Sequence, residues 1–229
     1  MPEHTPLAIT ASADEYLEAI YKLGSGGVPV TVPALAESLG VSAASANEMV
    51  RKLVERGLAD YEPYKGIALS DEGRAQALVV VRRHRLWERF LVDVLEIPWD
   101  QVHSEACRLE HATSPLVEEG LARFLSSPSR CPHGHAMPAA DGSVAQDSEL
   151  TTIAGLEAAQ RAEVVSVPEE DGALLRYLDS LNLRPGSEIL VLAVEPFGGP
   201  ISLRVAGANR PIGRELAARI RVRCLGGEE

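Results

Sequence analysis

One nine-residue string constrains this chain more than any other stretch of it: His103-Ser104-Glu105-Ala106-Cys107-Arg108-Leu109-Glu110-His111. On an α-helix His103, Cys107, Glu110 and His111 fall at i, i+4, i+7 and i+8, which puts all four on one face. Apolar residues normally fill such a stripe in a buried helix. Four polar side chains there are costly unless something satisfies them. The preceding helical segment repeats the device with His84 and Glu88 at i, i+4. Taken singly, such a His–Glu pair is most often a solvated helix pair, and a buried cysteine behaves as a small hydrophobe. Six ligand-type side chains on two neighbouring helices point instead to a bound transition metal.

The flanking sequence shows what kind of chain carries this device. Residues 12–23 read as a helix with Tyr16, Leu17, Ile20 and Leu23 as its apolar stripe. Ser12 is its expected cap, and Glu15 completes an S-x-x-E capping box. A short helix is expected from about Pro33 to Leu39, stopped at Gly40, and a third from Ser42 to Arg56, closed by Gly57. Two helices joined by a short Gly-containing turn form a helix-turn-helix. Residues 58–62 and 66–69 read as short strands around a turn at Pro63 to Gly66, so the unit is a winged helix. Further helices are expected at about 71–95, 100–110 and 115–125. Residues 126–148 read as a linker or extended loop, being rich in Ser, Pro, Gly and Ala. Beyond 160, β-like stretches at 162–167, 188–194, 201–205 and 220–224, with one helix near 171–181, predict a small barrel-like module.

Composition narrows the classes further. Aromatics make up only 4% of the 229 residues, too few for a chain devoted to stacking single-stranded bases. The net charge of −11 weighs against nucleic acid as a partner, but charge is regional here. The stretch from Arg74 to Arg89 holds Arg74, Arg82, Arg83, Arg85 and Arg89 against Glu88 alone. Three cysteines are too few and too scattered for a disulfide framework. No apolar run is long enough to span a bilayer, and no basic segment followed by an apolar core opens the chain. The expectation is a soluble, cytoplasmic protein with no membrane partner.

These residues together resemble the diphtheria-toxin-repressor family of iron- and manganese-dependent transcriptional repressors. The likeness runs through Glu15-Tyr16-Leu17-Glu18-x-Ile20-Tyr21, the winged helix, His84-Arg85-Leu86-x-Glu88 and the string at 102–111. It continues through the C-P-x-G turn at Cys131 to Gly134 and Arg184-Pro185-Gly186-Ser187-Glu188. The resemblance implies a mainly α fold with a small β part. Its domains would be a winged helix-turn-helix over 1–73, a helical dimerisation and metal-binding domain over 74–140, a linker over 141–159 and an SH3-like domain over 160–229. It also implies a homodimer, double-stranded operator DNA of palindromic form as partner, no small organic substrate, and two metal sites per subunit. The ancillary site would use His84, Glu88 and His103 with a carboxylate from the SH3-like domain, Glu170 or Asp171. The regulatory site would use Cys107, Glu110 and His111 with Glu15 and Glu18 of the first helix.

Ligand hardness bears on the metal. Iron-responsive relatives carry a methionine where this chain has Glu15, and carboxylates suit Mn²⁺ better than a thioether does. Cys107 pulls towards Fe²⁺ or Zn²⁺, so the site is a hybrid; Mn²⁺ is expected, with Fe²⁺ the alternative. Glu15 could serve only its capping box, and Glu18 only a solvated surface. Cys131-Pro132-His133-Gly134-His135 lacks a partner cluster at zinc-finger spacing and reads as a turn.

The DNA-reading face would be the start of the third helix, with Ser42, Ala44, Ser45 and Asn47 towards the bases and Arg51, Lys52 and Lys65 towards phosphates. Ser42 and Ser45 are also good helix caps. Glu48 is unexpected on such a face; it would complete a box with Ser45 or accept a hydrogen bond from cytosine N4. The rival from another class is a metallohydrolase using the same His, Glu and Cys, which would leave the helix-turn-helix without a role.

Overall fold

The computed structural model describes residues 11–24, 29–62, 65–145, 149–169 and 171–226. Helix α1 (Ala11–Gly24) buries the stripe Ala13, Tyr16, Leu17 and Ile20. Its first described residues are Ala11 and Ser12, so Ser12 lies within the helix and not before its first turn. The side chain of Ser12, and with it the capping box drawn to Glu15, lies outside the described residues. Helix α2 (Val32–Leu39) starts where Thr31 accepts the Ala34 N–H at 3.3 Å and stops at Gly40, whose φ of 64° a side chain would resist. Helix α3 (Ala43–Glu55) is capped by Ser42, which accepts the Ser45 N–H at 3.1 Å. A cap of this kind contributes about 1 kcal/mol. Ala46, Val50 and Leu53 of α3 pack on Leu17 and Leu35.

Strands β1 (Ala59–Glu62) and β2 (Gly66–Leu69) pair antiparallel, with Ala59 opposite Leu69 and Glu62 opposite Gly66. Val30 bridges to Ile67 beside them. The expected turn residues Pro63 and Tyr64 lie outside the described residues. Ser70 then accepts the Gly73 N–H and opens α4 (Asp71–Asp93). Helices α5 (Val102–Glu110) and α6 (Pro115–Phe124) follow.

The C-terminal part comprises β3 (Leu150–Thr152), a 3₁₀ turn (Ile153–Gly155), β4 (Arg161–Ser166), α7 (Gly172–Ser180), β5 (Glu188–Val194), β6 (Ile201–Val205), β7 (Ala208–Ile212), α8 (Arg214–Ala217) and β8 (Arg221–Leu225). The strands form one antiparallel sheet in the order β3-β8-β4-β5-β6-β7, bulged between Val164 and Ser166 and between Val191 and Ala193. Its core joins Val164, Ile189, Leu203 and Val222 to Leu175 and Leu178 of α7 and to Trp99. Two features depart from expectation. Residues 150–156, inside the stretch read as a linker, supply β3 and a turn whose Ile153 and Leu156 are buried in that core. Strand β7 is also additional, and it carries Pro211; an edge strand tolerates a proline because one side of it donates no ladder bond.

Chain contacts divide the protein into two compact units. One comprises the residues up to Arg83 together with Pro138–Ser143; the other comprises His84–Met137 together with the residues from Val144 onward. The α5 and α6 helices thus share a unit with the β sheet.

Candidate metal centre

In the second unit α4 presents His84 and Glu88 one turn apart, both fully buried. Helix α5 presents His103, Cys107 and Glu110, with His111 as its C-cap. The i, i+4 arithmetic of the sequence places these donors together. His84 Nδ1 is 2.6 Å from Glu110 Oε2, and His84 Nε2 is 3.1 Å from Glu88 Oε1. His103 Nδ1 is 3.7 Å from Glu88 Oε1, and His111 Nε2 is 3.3 Å from Glu110 Oε1. Cys107 Sγ faces both His84 and His103. Burial would raise the Cys107 thiol, but hydrogen bonds from His103 and His84 and the charge on those rings bring it below its ordinary value.

The turn at 131–135 is a second source of donors, and the sequence reading passed over it. His135 O accepts the Cys131 N–H at 3.0 Å, and Cys131 O accepts the Gly134 N–H at 2.9 Å, closing a tight loop. Gly134 has φ 89°, and a Cβ there would stand 1.8 Å from Val165 O, so only glycine lets this loop lie on β4. His133 O accepts the Val167 N–H at 3.0 Å, which ties the loop to the chain just before Glu169. The outcome is a buried set of Glu88, Cys131, His133 and Glu169, with ligand atoms within 4.8 Å of one another.

Its electrostatics are those of a cation site. His133 Nε2 donates to Trp99 O at 2.9 Å, which fixes its Nδ1 towards Glu88 Oε1 at 3.3 Å. Burial opposes charge on Glu88, yet the charge of His84 and hydrogen bonds from His103, His133 and His84 hold its carboxyl well below the usual range. Burial also opposes charge on His133, but contacts with Cys131 and Glu88 push it up to about 11. Cys131 is raised by burial and by the Glu88 charge. Glu88 Oε2 is buried and has no hydrogen-bond partner among the described residues. A buried carboxylate oxygen without a donor costs free energy, and a metal ion ringed by carboxylate, thiol and imidazole would remove that cost. The donor set therefore fits a divalent transition metal.

Several expected site residues stand elsewhere. Asp171 caps α7, its Oδ1 accepting the Ala173 and Leu174 N–H groups at 2.8 and 3.2 Å, so this oxygen is engaged at the helix start. Glu170 lies outside the described residues. The buried carboxylate from this segment is Glu169, one residue earlier. In the first unit Glu15 is exposed on α1, whereas Glu18 is buried, with Lys22 Nζ 3.0 Å away. Glu18 is thus not a solvated carboxylate; it sits on the apolar side of α1 beside Leu17.

On α3, Ala44 and Ser45 are exposed and Asn47 half-buried, while Ser42 serves as the cap. Arg51 is exposed. Lys52 pairs with Glu48 at 2.8 Å and Lys65 with Glu62 at 2.6 Å. Ser45 lies inside α3, so Glu48 completes no box with it; the hydrogen bond from Lys52 lowers the Glu48 carboxyl instead.

The profile of the iron-dependent repressor N-terminal DNA-binding domain matches residues 8–67, and that of the iron-dependent repressor metal-binding and dimerisation domain matches 70–139. An FeoA domain profile matches 151–224. The iron-dependent repressor IdeR of Mycobacterium tuberculosis (strain ATCC 25618 / H37Rv) is 31% identical over 226 residues, 92% of this chain and 96% of that one. A solved manganese-dependent transcriptional repressor in complex with manganese is 37% identical with a TM-score of 0.86, covering 93% of this chain and all of its own. The solved manganese regulator SloR is 30% identical with a TM-score of 0.82, over 93% of this chain and 98% of its own. Members of this family are regulators and not enzymes, which removes the metallohydrolase alternative. No described helix is long and apolar enough to cross a membrane. The chain belongs to the diphtheria-toxin-repressor family of metal-dependent transcriptional repressors.

Proposed function

We propose that this chain is a manganese-responsive repressor that works as a homodimer on palindromic operators in the cytoplasm and controls genes of metal homeostasis. Glu15 and Glu18 of α1 would join Cys107, Glu110 and His111 around a regulatory cation. His84, Glu88 and His103 would hold a second one with a carboxylate from the third region, for which Glu169, buried beside Glu88, Cys131 and His133, is the candidate among the described residues. The observation that carries the manganese preference is the pair of carboxylates on α1, where a thioether would favour a softer ion. Similarity to a repressor solved with manganese supports the same reading. Cys107 favours iron, as does the similarity to the iron-dependent repressor IdeR.

A metal can activate the protein only by binding its DNA-binding state more tightly than its inactive state. A shift from mostly incompetent to mostly competent protein needs about 5 kcal/mol of differential affinity. On DNA, Ser42, Ala44, Ser45 and Asn47 would face the bases, with Arg51, Lys52 and Lys65 on phosphates. Lys52 and Lys65 must leave Glu48 and Glu62 to do so, which predicts modest affinity and a shallow salt dependence.

The test is fluorescence anisotropy of promoter DNA from metal-uptake genes, at fixed salt, against Mn²⁺, anaerobic Fe²⁺ and Zn²⁺. Mn²⁺-dependent binding in the wild type, lost in Glu15→Ala, is the expected result. Tight binding that ignores metal and chelator would end the switch reading.

A further inference from the structure

Helix α3 turns one stripe of side chains straight away from its core. Ala46, Val50 and Leu53 are buried, while Ala44, Glu48, Arg51 and Glu55, at i, i+4, i+7 and i+11, are exposed on the opposite side. Glu48 stands in the middle of that stripe, with its side chain 69% exposed. The other polar groups near the start of the helix are partly engaged. The Ser42 and Ser45 hydroxyls are bonded to each other at 2.8 Å, and Ser42 also caps the helix. Ala44 offers only a methyl group, and Asn47 is half-buried. The first two turns of α3 thus lead with a carboxylate.

The chemistry of the major groove decides what such a group can meet. In the free protein Lys52 Nζ lies 2.8 Å from Glu48 Oε1, and its hydrogen bond and charge hold the carboxyl below its ordinary value. Docking on an operator would draw Lys52 to a phosphate and strip water from Glu48, and an anion left without a donor costs free energy. Only the cytosine N4 and adenine N6 amino groups donate in the major groove. Adenine sets its N7 acceptor beside N6, and guanine and thymine present only acceptors, all of which repel a carboxylate. Cytosine alone offers a donor with no acceptor on its own edge. We propose that Glu48 is a specificity-determining residue that accepts a hydrogen bond from cytosine N4 and so fixes a C·G pair at one position of each operator half-site. The proposal rests on the reading of α3 as the DNA-reading helix and is independent of which metal activates the protein.

Selection from a library of palindromes with randomised half-sites tests this on the full chain, with Mn²⁺ in one arm and anaerobic Fe²⁺ in the other. The wild type is expected to return one invariant cytosine per half-site. Replacing that C·G pair should weaken binding about 5- to 150-fold by fluorescence anisotropy at fixed salt. Glu48→Gln should move the preference at that position to adenine, whose N6 and N7 a carboxamide reads together, and Glu48→Ala should lose it there and keep it elsewhere. Both variants should fold as the wild type does, since an exposed i, i+4 ion pair contributes little to stability. Glu55→Gln, at the far end of the stripe, should leave the selected sequence unchanged. Glu48 variants that bind every sequence more tightly by one factor, with the selected sequence unaltered, would show a merely repelled surface charge and overturn the proposal. A shift at the same position in Glu55→Gln would overturn it too, because the effect would follow net charge and not contact. Binding supported by Fe²⁺ and not by Mn²⁺ would count against the manganese reading alone, and the Fe²⁺ arm would then judge Glu48. No enrichment with either ion would overturn both.

Discussion

Two stretches of the second unit each bring a histidine and a cysteine to the buried donors His84 and Glu88 of α4, and they do so by different means. Helix α5 places His103 and Cys107 on one face by the helical period alone, so the spacing of the residues is the geometry. The loop at 131–135 places Cys131 and His133 two residues apart, and nothing periodic aims them. Their aim comes from Gly134 lying flat on Val165, from His133 Nε2 bonded to Trp99 O, and from the Val167 N–H bonded to His133 O. A helix carries its own address for each side chain; a turn borrows it from backbone far away in sequence. Both stretches meet around one buried carboxylate, Glu88, and each has residues of its own through which mutation can strike it alone.

Glu88→Ala is the largest test, because it strikes both stretches. It would leave His133 buried without the carboxylate it faces and His84 with Glu110 alone, and breaking a buried ion pair costs about 3–5 kcal/mol. Thermal unfolding with and without Mn²⁺ should show a large loss of stability. It should also show a loss of the metal-induced gain, which for the wild type is about 2.7 kcal/mol at a hundredfold excess over Kd. A variant as stable and as metal-responsive as wild type would mean that Glu88 joins neither set. Gly134→Ala comes next and strikes the loop alone. A positive φ and a Cβ 1.8 Å from Val165 O predict a loss of about 2–3 kcal/mol, with one metal equivalent missing by mass spectrometry under native conditions. Thiolate-to-metal absorption from Cys107 should survive, since α5 does not depend on that glycine. If they vanish together, the two stretches form one site and the contrast fails.

The same contrast explains how much of the protein was legible in its sequence. The helices around Tyr16, Leu35 and Leu53, the hairpin of the wing, and the joint placement of His84, Glu88, His103, Cys107 and Glu110 all follow from period and punctuation. What escaped has a common cause, dependence on distant partners. Ile153 and Leu156 sit in a stretch adjoining Ser- and Gly-rich sequence, and only the pairing of Thr151 with Val222 makes a strand beside them. Ala208–Ile212 contains Asn209 and Pro211, poor strand formers that an edge position accepts. The carboxylate from the third region is expected at Glu170 or Asp171; Glu170 lies outside the described residues, and the buried carboxylate among those described is Glu169, in an irregular segment held by the Val167 hydrogen bond and not by any period. The cysteine and histidine of the loop were visible as residues, but their partners Glu88 and Glu169 are more than thirty positions away on either side.

Cys131→Ser sharpens the comparison at smaller cost. Serine keeps the shape of the loop but replaces a soft ligand by a weaker one, so stability should change by about 1–2 kcal/mol. Affinity at the second position should fall about 10- to 100-fold, a range typical of damage around a metal ligand. Isothermal titration with Mn²⁺ would read this as loss of one of two binding events, and an unaltered isotherm would exclude Cys131 as a ligand.

Asp171→Ala is the smallest and the most specific to the question of register. Asp171 accepts the Ala173 and Leu174 N–H groups at the start of α7, and alanine would leave both to water. Loss of a capping aspartate costs about 1 kcal/mol, and α7 buries Leu175 and Leu178 in the sheet core, so the loss should appear as a modest drop in the melting temperature. Metal stoichiometry and affinity should not move. The neighbouring Glu169→Gln should behave in the opposite way, with little change in helix stability and a clear loss of metal, since its carboxylate lies among Glu88, Cys131 and His133. Two acidic residues two positions apart would then separate cleanly into a helix cap and a ligand. Metal loss in Asp171→Ala with none in Glu169→Gln would mean that the segment after β4 is read one turn out of register, and that the loop donors answer to a different carboxylate.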